Sequence, residues 1–319
     1  MTAAPRVSVI TIFKDEERFL PEAVASVFAQ SFGDWELLLV DDGSQDGSRA
    51  FAQEEADRWP GRVRPLTHPQ GGTRGMSASR NLGISAARGD YVAFLDADDT
   101  WLPGKLEATL RLAHEHPQAG LICGPTQFWR SWAGGPGGED SVRDLGIPTG
   151  TLVPPPALLP LLLRNVVDAP ATCTAFLPRA VLQRLGGFEE SFTGMFEDRV
   201  FFTKAYLHLA VVASPTCWDR YRQHVDSASA RARRDGVYHP HRANVAHRTY
   251  LDWVEDYLLR HGVGDADVWA ALRAARRRYA PVRRIPMVVL DKVGLGEAAL
   301  SVYNRIPRLR GPTDGSAQG

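Results

Sequence analysis

Apolar runs and amphipathic stretches alternate along the first third of the chain. Val7 to Phe13 is an unbroken, β-branched apolar run of the length expected for a strand buried on both faces, and Leu20, Val24, Val27 and Phe28 then recur at helical spacing. The unit repeats. Trp35 to Val40 is a second apolar run, ending in Asp41-Asp42-Gly43-Ser44, and a polar helix is predicted from about Asp46 to Trp59. Val63 to Thr67 reads as a short third strand, followed by the glycine-rich GGTRG, a helix through about Ala87, a strand from Asp90 to Leu95, a helix from Pro103 to about His114 and a strand at Leu121-Ile122-Cys123. Beyond residue 128 the pattern weakens. SWAGGPGGEDSVRDLGIPTG has no clear period and is read as a loop. Regularity returns at Pro155 to Leu163, at a strand from Thr172 to Leu177, at a turn or two of helix from Ala180 stopped by Gly186-Gly187, and at a helix from Glu197 to Leu209. Strands are predicted at Val211 to Ala213 and Thr216 to Arg222. Two amphipathic helices follow, marked by Tyr250, Leu251, Val254, Tyr257 and Leu258 and by Trp269, Leu272 and Tyr279.

Such alternation predicts an α/β fold, Rossmann-like, with a mostly parallel central sheet flanked by helices and a C-terminal helical extension. Three segments are expected: 1–127 and 128–230 as the two halves of one domain, and 231–319 as the helical extension, ending in a disordered tail at PTDGSAQG. The chain's 319 residues and 44% hydrophobic content supply an ample core. Lys plus Arg and Asp plus Glu balance at 37 each, which gives no global field to attract nucleic acid. Arg273, Arg276, Arg277, Arg278, Arg283 and Arg284 cluster near the C-terminus, either as a solvated helix face or as a peripheral contact for anionic lipid. Cys123, Cys173 and Cys217 are widely spaced in apolar contexts and read as core thiols of a reducing compartment. MTAAPRVSV has no signal-peptide run, and PPPALLPLLL is too short and too proline-rich to span a bilayer, so a cytoplasmic location is expected, with the inner membrane face as a site of peripheral contact.

The chemistry lies in the acids. FLDADD sets Asp96, Asp98 and Asp99 at the end of an apolar strand, where like charges about 5 Å apart repel by about 1 kcal/mol even near the surface. One of Asp98, Asp99 and Thr100 could cap a helix opening at Leu102-Pro103, but one cap does not account for three carboxylates. Asp15, Asp41-Asp42 and Asp96 to Asp99 each follow a different strand, and ligands of such sheets sit at the carboxyl ends of strands. They should converge on one acidic rim suited to Mg²⁺ or Mn²⁺. Two further groups stand apart: Glu197 and Asp198 in FEDRVFF, at the start of an apolar helix where the dipole favours a carboxylate, and His224 in YRQHVDSAS, just after a strand.

Taken in order, VSVITIFKDEERFL, VDDGSQDGS, SASRNLGISAARGDYVAFLDADD, GGFEE, FEDRVFF and YRQHVDSAS resemble the family 2 glycosyltransferases, inverting enzymes of the GT-A fold, over roughly residues 6–229. The resemblance implies a role for each matched residue. Asp41 matches the acid that reads the donor's base, Asp96 and Asp98 the ends of the D-x-D motif around Ala97, with Asp96 toward the ribose and Asp98 on the metal. Arg80 and Asn81 match A-R-N-x-G beside the nucleotide, with Ser79 in place of Ala. Asp198 matches the catalytic base of the E-D motif, and His224 a position that approaches the metal or diphosphate. Glu197, Asp42 and Arg74 are secondary candidates. Where the family reads I-P-T-Y-N-E the chain reads T-I-F-K-D-E, which would leave any base stacking to Phe13, lets Lys14 either meet a phosphate or point to water, and sets Asp15 in place of Asn.

The implied reaction is single displacement from a nucleotide-diphosphate sugar, a UDP-sugar first and dTDP- or GDP-sugars second, to an acceptor hydroxyl of a saccharide, a lipid-linked glycan or a natural product. Mn²⁺ or Mg²⁺ would stabilise the departing diphosphate. Two other readings compete. A sugar-phosphate nucleotidyltransferase is echoed by GGTRG, but that loop should follow the first strand, and here it follows the third. A non-catalytic nucleotide- or carbohydrate-binding module would lack the carboxylates that this chain retains. Trp129, Trp132 and Phe192 are candidate stacking faces for acceptor sugars.

Overall fold

The computed structural model describes residues 4–236 and 244–279. The strand–helix alternation forms as expected: β1 (Val7–Phe13), α1 (Leu20–Phe28), β2 (Trp35–Asp41), α2 (Ser48–Arg58), β3 (Val63–Thr67), α3 (Met76–Ala86), β4 (Tyr91–Phe94). Thr100–Trp101 is then a two-residue strand, β5, followed by α4 (Lys105–Glu115) and β6 (Leu121–Cys123). This corrects the capping expectation at 98–100, since α4 opens behind Gly104 with no side-chain cap. The acids stand in a turn between two strands.

Residues 124–178 are more ordered than their composition suggests. They form β7 (Thr126–Trp129), β8 (Ser141–Arg143), β9 (Leu152–Val153), α5 (Leu158–Leu163), a 3-10 turn at Thr172–Thr174 and β10 (Phe176–Pro178). The chain continues through α6 (Arg179–Leu185), α7 (Glu197–His208), β11 (Val211–Ala213), β12 (Asp219–Arg222), α8 (Ala228–Arg234), α9 (Val245–Arg260) and α10 (Ala266–Arg276). The expected disordered tail, Arg283 and Arg284 lie outside the described residues. Of the nearer arginines, Arg276 is tied to Asp252 and Glu255 on α9, whereas Arg273, Arg277 and Arg278 are exposed. No helix among the described residues is long and apolar enough to cross a membrane.

Eight strands form the main sheet in the order β3-β2-β1-β4-β10-β6-β11-β9. The first four are parallel, β10 runs against both β4 and β6, and β11 returns parallel to β6. Because β10 lies between β4 and β6, the sheet draws on both sides of position 127. In β1 and β2 every residue is buried, as the continuous apolar runs require. A second sheet, β5-β12-β7-β8, stands beside the carboxyl ends of the first. Its registers put Phe128 opposite Tyr221 and Thr126 opposite Arg143, and alternation turns all four toward one face.

Two glycines set close approaches. Gly43, at φ +87°, sits so near the GGTRG loop that a Cβ would lie 2.9 Å from the carbonyl carbon of Gly72. Gly83 lets α3 lie against β1, where a Cβ would meet Cγ2 of Ile10 at 2.5 Å. That contact is with a buried, β-branched side chain that has little freedom to yield. Gly83→Ala is therefore expected to lower the melting temperature, because overpacking of about 1–3 kcal/mol outweighs the roughly 1 kcal/mol gained when Gly leaves a helix. A calorimetric scan that showed the variant to be as stable as the parent would mean that Ile10 repacks freely.

Candidate functional site

The register of the parallel strands delivers the acids to one edge. Phe13 pairs with Asp41, Asp42 N–H donates to the carbonyl of Phe13 at 2.9 Å, and Leu95 N–H donates to the carbonyl of Ile10 at 3.0 Å. The chain therefore leaves β1, β2 and β4 together. They open onto a cleft of about 720 Å³ whose far wall comes from the second sheet, the start of α7 and α8. Asp96, Ala97, Asp98, Asp198, Glu197, Arg80 and Phe13 all line it.

Arg80 ties the two acidic groups together. Only 2% exposed, its guanidinium donates to Asp96 Oδ1 at 2.8 Å and to Glu197 Oε1 at 3.3 Å, and lies over the ring of Phe188. Burial disfavours the charge, but the two carboxylates outweigh it and raise the guanidinium's affinity for its proton. Behind Arg80, Asn81 is not in the cleft: it donates to the carbonyl of Phe188 and to Glu190, accepts from Phe188 N–H, and so fastens α3 to the GGFEE turn.

At α7, Phe196 takes a left-handed conformation, φ +75°, with its ring stacked on Tyr250. A strained non-glycine residue at a helix start fixes where the first turn points. Here that turn aims Glu197 and Asp198 at the cleft. Burial, and next to it the charge of Asp198, push Glu197 up to about 7; burial also raises Asp198, against the Arg199 amide at 2.6 Å and the charge of Arg80.

Asp98 and His224 meet. His224 Nε2 lies 3.0 Å from Asp98 Oδ2, and its buried Nδ1 has no hydrogen-bond partner among the described residues. A carboxylate oxygen and an imidazole nitrogen side by side are donors suited to Mn²⁺, and a carboxylate alone to Mg²⁺. No group of three or more His, Cys, Asp or Glu gathers as a ligand set among the described residues. Two donors leave most of a coordination shell for substrate phosphates. Asp99 is different: its Oδ1 accepts from the Arg222 amide, and burial, followed by the charges of Asp98 and Asp96, holds it well above the usual carboxylate range. It belongs to the frame.

Several expected residues turn away. Asp41 is buried, its Oδ1 taken by Ser44 N–H at 2.8 Å and its Oδ2 by Arg49; burial would raise it, but these contacts hold it below its ordinary value. Its neighbour Asp42 reaches the cleft and holds the GGTRG loop through the amides of Arg74 and Gly75, and the Arg74 side chain is exposed. Asp15, at φ +56°, points to Gln45 N–H and leaves Glu16 in the cleft, where burial and the charge of Asp98 push it to about 8. Trp129, Trp132 and Phe192 do not line the cleft: Arg222 lies over both tryptophan rings, Trp132 meets Phe19 edge to face, and Phe192 packs against Trp253. Glu16, Tyr221, Ser227, Ser229 and Arg231 line the cleft without having been singled out. Tyr221, Ser227 and Ser229 lie in or beside the YRQHVDSAS motif that marked His224, whereas nothing local marks Arg231.

Comparison with known proteins agrees with this geometry. Residues 8–182 match the family described as Glycosyl transferase family 2. The UDP-Glc:alpha-D-GlcNAc-diphosphoundecaprenol beta-1,3-glucosyltransferase WfgD of Escherichia coli is 34% identical over 106 residues, 33% of this chain and 40% of that protein. The O-antigen biosynthesis protein RfbC of Myxococcus xanthus is 37% identical over 123 residues, 38% of this chain and 10% of that one. The chain thus spans less than half the length of these relatives. Among solved structures, S. aureus TarS 1-349 in complex with UDP-GlcNAc superimposes with a TM-score of 0.63 over 93% of this chain and 80% of that one, at 17% identity. The fold is of the GT-A type. Since the family match takes in β1 through β6, the D-x-D turn and β10, more than half of the 319 residues, the chain belongs to glycosyl transferase family 2.

Proposed function

We propose that this protein transfers a sugar from a nucleotide-diphosphate donor to an acceptor hydroxyl by single displacement, with inversion at the anomeric carbon. One observation carries the reading: Asp96 and Asp98 from the end of β4 and Asp198 from the start of α7 face the same cleft from separate elements. Phe13, Asp96 and Ala97 line its donor side, and Asp98 with His224 would hold Mn²⁺ or Mg²⁺. When bound, that cation supplies Lewis-acid stabilisation of the departing diphosphate. Asp198 takes the acceptor's proton as its oxygen attacks from the face opposite the leaving group, a step that requires the carboxylate within hydrogen-bond reach of the hydroxyl. Arg80 keeps Glu197, and with it the first turn of α7, in register with Asp96.

A UDP-sugar is the favoured donor, in line with the UDP-GlcNAc bound to the TarS structure, and dTDP- and GDP-sugars come next. For the acceptor, a lipid-linked glycan is one class, after the diphosphoundecaprenol substrate in the name of the E. coli relative, and a saccharide or natural product is the other. Work at the cytoplasmic membrane face would follow from the first. The nucleotidyltransferase reading loses ground, because GGTRG is not the loop after β1: it follows β3 and is held by Asp42 at the end of β2.

Calorimetric titration with UDP, GDP and dTDP, each with Mn²⁺ and with EDTA, tests the donor site. One nucleotide, UDP first, is expected to bind at least about 100-fold more tightly with Mn²⁺, a gain of about 2.8 kcal/mol. Absence of binding by all three in both conditions would sink the reading.

A further inference from the structure

Arg222, the last residue of β12, meets the acid cluster from behind. It is 2% exposed and does not line the cleft. Its backbone N–H donates to Asp99 Oδ1 at 2.9 Å, its Nε to the carbonyl oxygen of Asp98 at 2.7 Å, and a terminal nitrogen to Glu22 Oε2 on α1 at 2.5 Å. The guanidinium carbon lies 4.8, 4.5 and 4.9 Å from the ring centroids of Phe19, Trp129 and Trp132. A cation taken this far out of water costs several kcal/mol unless hydrogen bonds and aromatic faces compensate it. Both kinds of partner are here. The Phe19 ring is shared: its far neighbour is His224, at 4.9 Å between centroids and 62° between planes. One side chain thus braces the backbone of Asp98 directly and the ring of His224 through Phe19.

We propose that Arg222 is the positioning residue of the Asp98–His224 pair, holding the 96–99 turn so that the two donor atoms stand 3.0 Å apart before any ligand arrives. The inference rests on the donor-site reading above. Arginine is required by shape: a planar fork gives one nitrogen to the Asp98 carbonyl and another to Glu22 with its carbon within 5 Å of three ring centroids, and a lysine ammonium is a single point on a flexible stem. Such bracing raises affinity by sparing the ligand the cost of ordering its site.

The test is the titration of the full chain with UDP, or with whichever of GDP and dTDP the parent binds, in Mn²⁺ and in EDTA. Arg222→Lys is expected to keep the EDTA affinity within about twofold and to lose about tenfold of the increment that Mn²⁺ adds, the size typical when a group supporting a metal ligand is removed. Glu22→Ala, at an exposed helix position, is expected to lose a smaller part of the same increment. General loosening of the fold would lower both affinities together. That pattern, or an Mn²⁺ increment equal to the parent's in Arg222→Lys, overturns the proposal. Should Arg222→Lys not fold, an unchanged increment in Glu22→Ala overturns it and a reduced one supports it. No binding by the parent itself in either condition is a separate result and removes the donor site, not the bracing alone.

Discussion

Asp198→Asn should bind nucleotide with Mn²⁺ as the parent does, within about twofold, and should transfer sugar about 10² to 10⁴ times more slowly, the range that one positioned proton acceptor supplies. The asymmetry follows from location. Asp198 sits at the start of α7, on a different element from Asp96 and Asp98, and among the described residues its carboxylate accepts from the amide of Arg199. An amide at this position keeps the side-chain shape and that hydrogen bond but cannot accept a proton. Nucleoside diphosphate release in the presence of acceptor reads the loss, and the titration above reads the binding. The pH profile sharpens the test. A base works only when ionised, burial raises Asp198 above its ordinary value, and its neighbour Glu197 ionises at about 7, so kcat/KM for the parent should climb with pH along an acid limb. Asp198→Asn should lose that limb along with the rate. Near-parental turnover in the variant would remove Asp198 from the role.

How much of this was legible in the sequence depended on the length of each element and on the direction of each side chain. The parallel half of the main sheet could be read because β1, β2 and their helices are long, and burial on both faces leaves an uninterrupted apolar run. Of the second sheet only β12 could, inside the strand expected at Thr216 to Arg222. The strands of that sheet are two to four residues long and mix Gln, Arg, Asp and Ser with aromatics, and β8 is exposed along its whole length. No period can show in so few positions. At the site, sequence placed the acids on the correct edge but not which of two neighbours faces the cleft. Asp41 and Asp42 differ by one pleat, and Asp15 and Glu16 are exchanged by a left-handed turn at Asp15. The tryptophans mislead for a related reason: a ring that could stack on a sugar can equally stack on a guanidinium, and Arg222 and Arg18 are contacts made across the fold.

Asp98→Asn should do the opposite of Asp198→Asn: abolish most of the Mn²⁺-dependent gain in nucleotide affinity, by about 100-fold, while leaving the affinity in EDTA unchanged. Loss of a group that merely supports a metal ligand costs about 10–100-fold, so loss of the ligand's own charge belongs at the upper end. Stability should move the other way. Asp98 stands among Asp96, Asp99 and Glu16, and its charge contributes to holding Glu16 up at about 8 and Asp99 well above the usual range. Those raised values mean that ionising the cluster in the folded, metal-free protein is unfavourable. Removing one charge relieves it, and Asn can still hydrogen-bond to His224. The metal-free variant should therefore melt no lower than the parent at neutral pH. In Mn²⁺ with nucleotide the order should invert, because the parent gains stability from what it binds and the variant gains little. Melting curves of both proteins, in EDTA and in Mn²⁺ with nucleotide, read the two halves together. If Asp98→Asn destabilised the metal-free protein and left the increment intact, the acids at the end of β4 would be part of the frame and not a site for a cation.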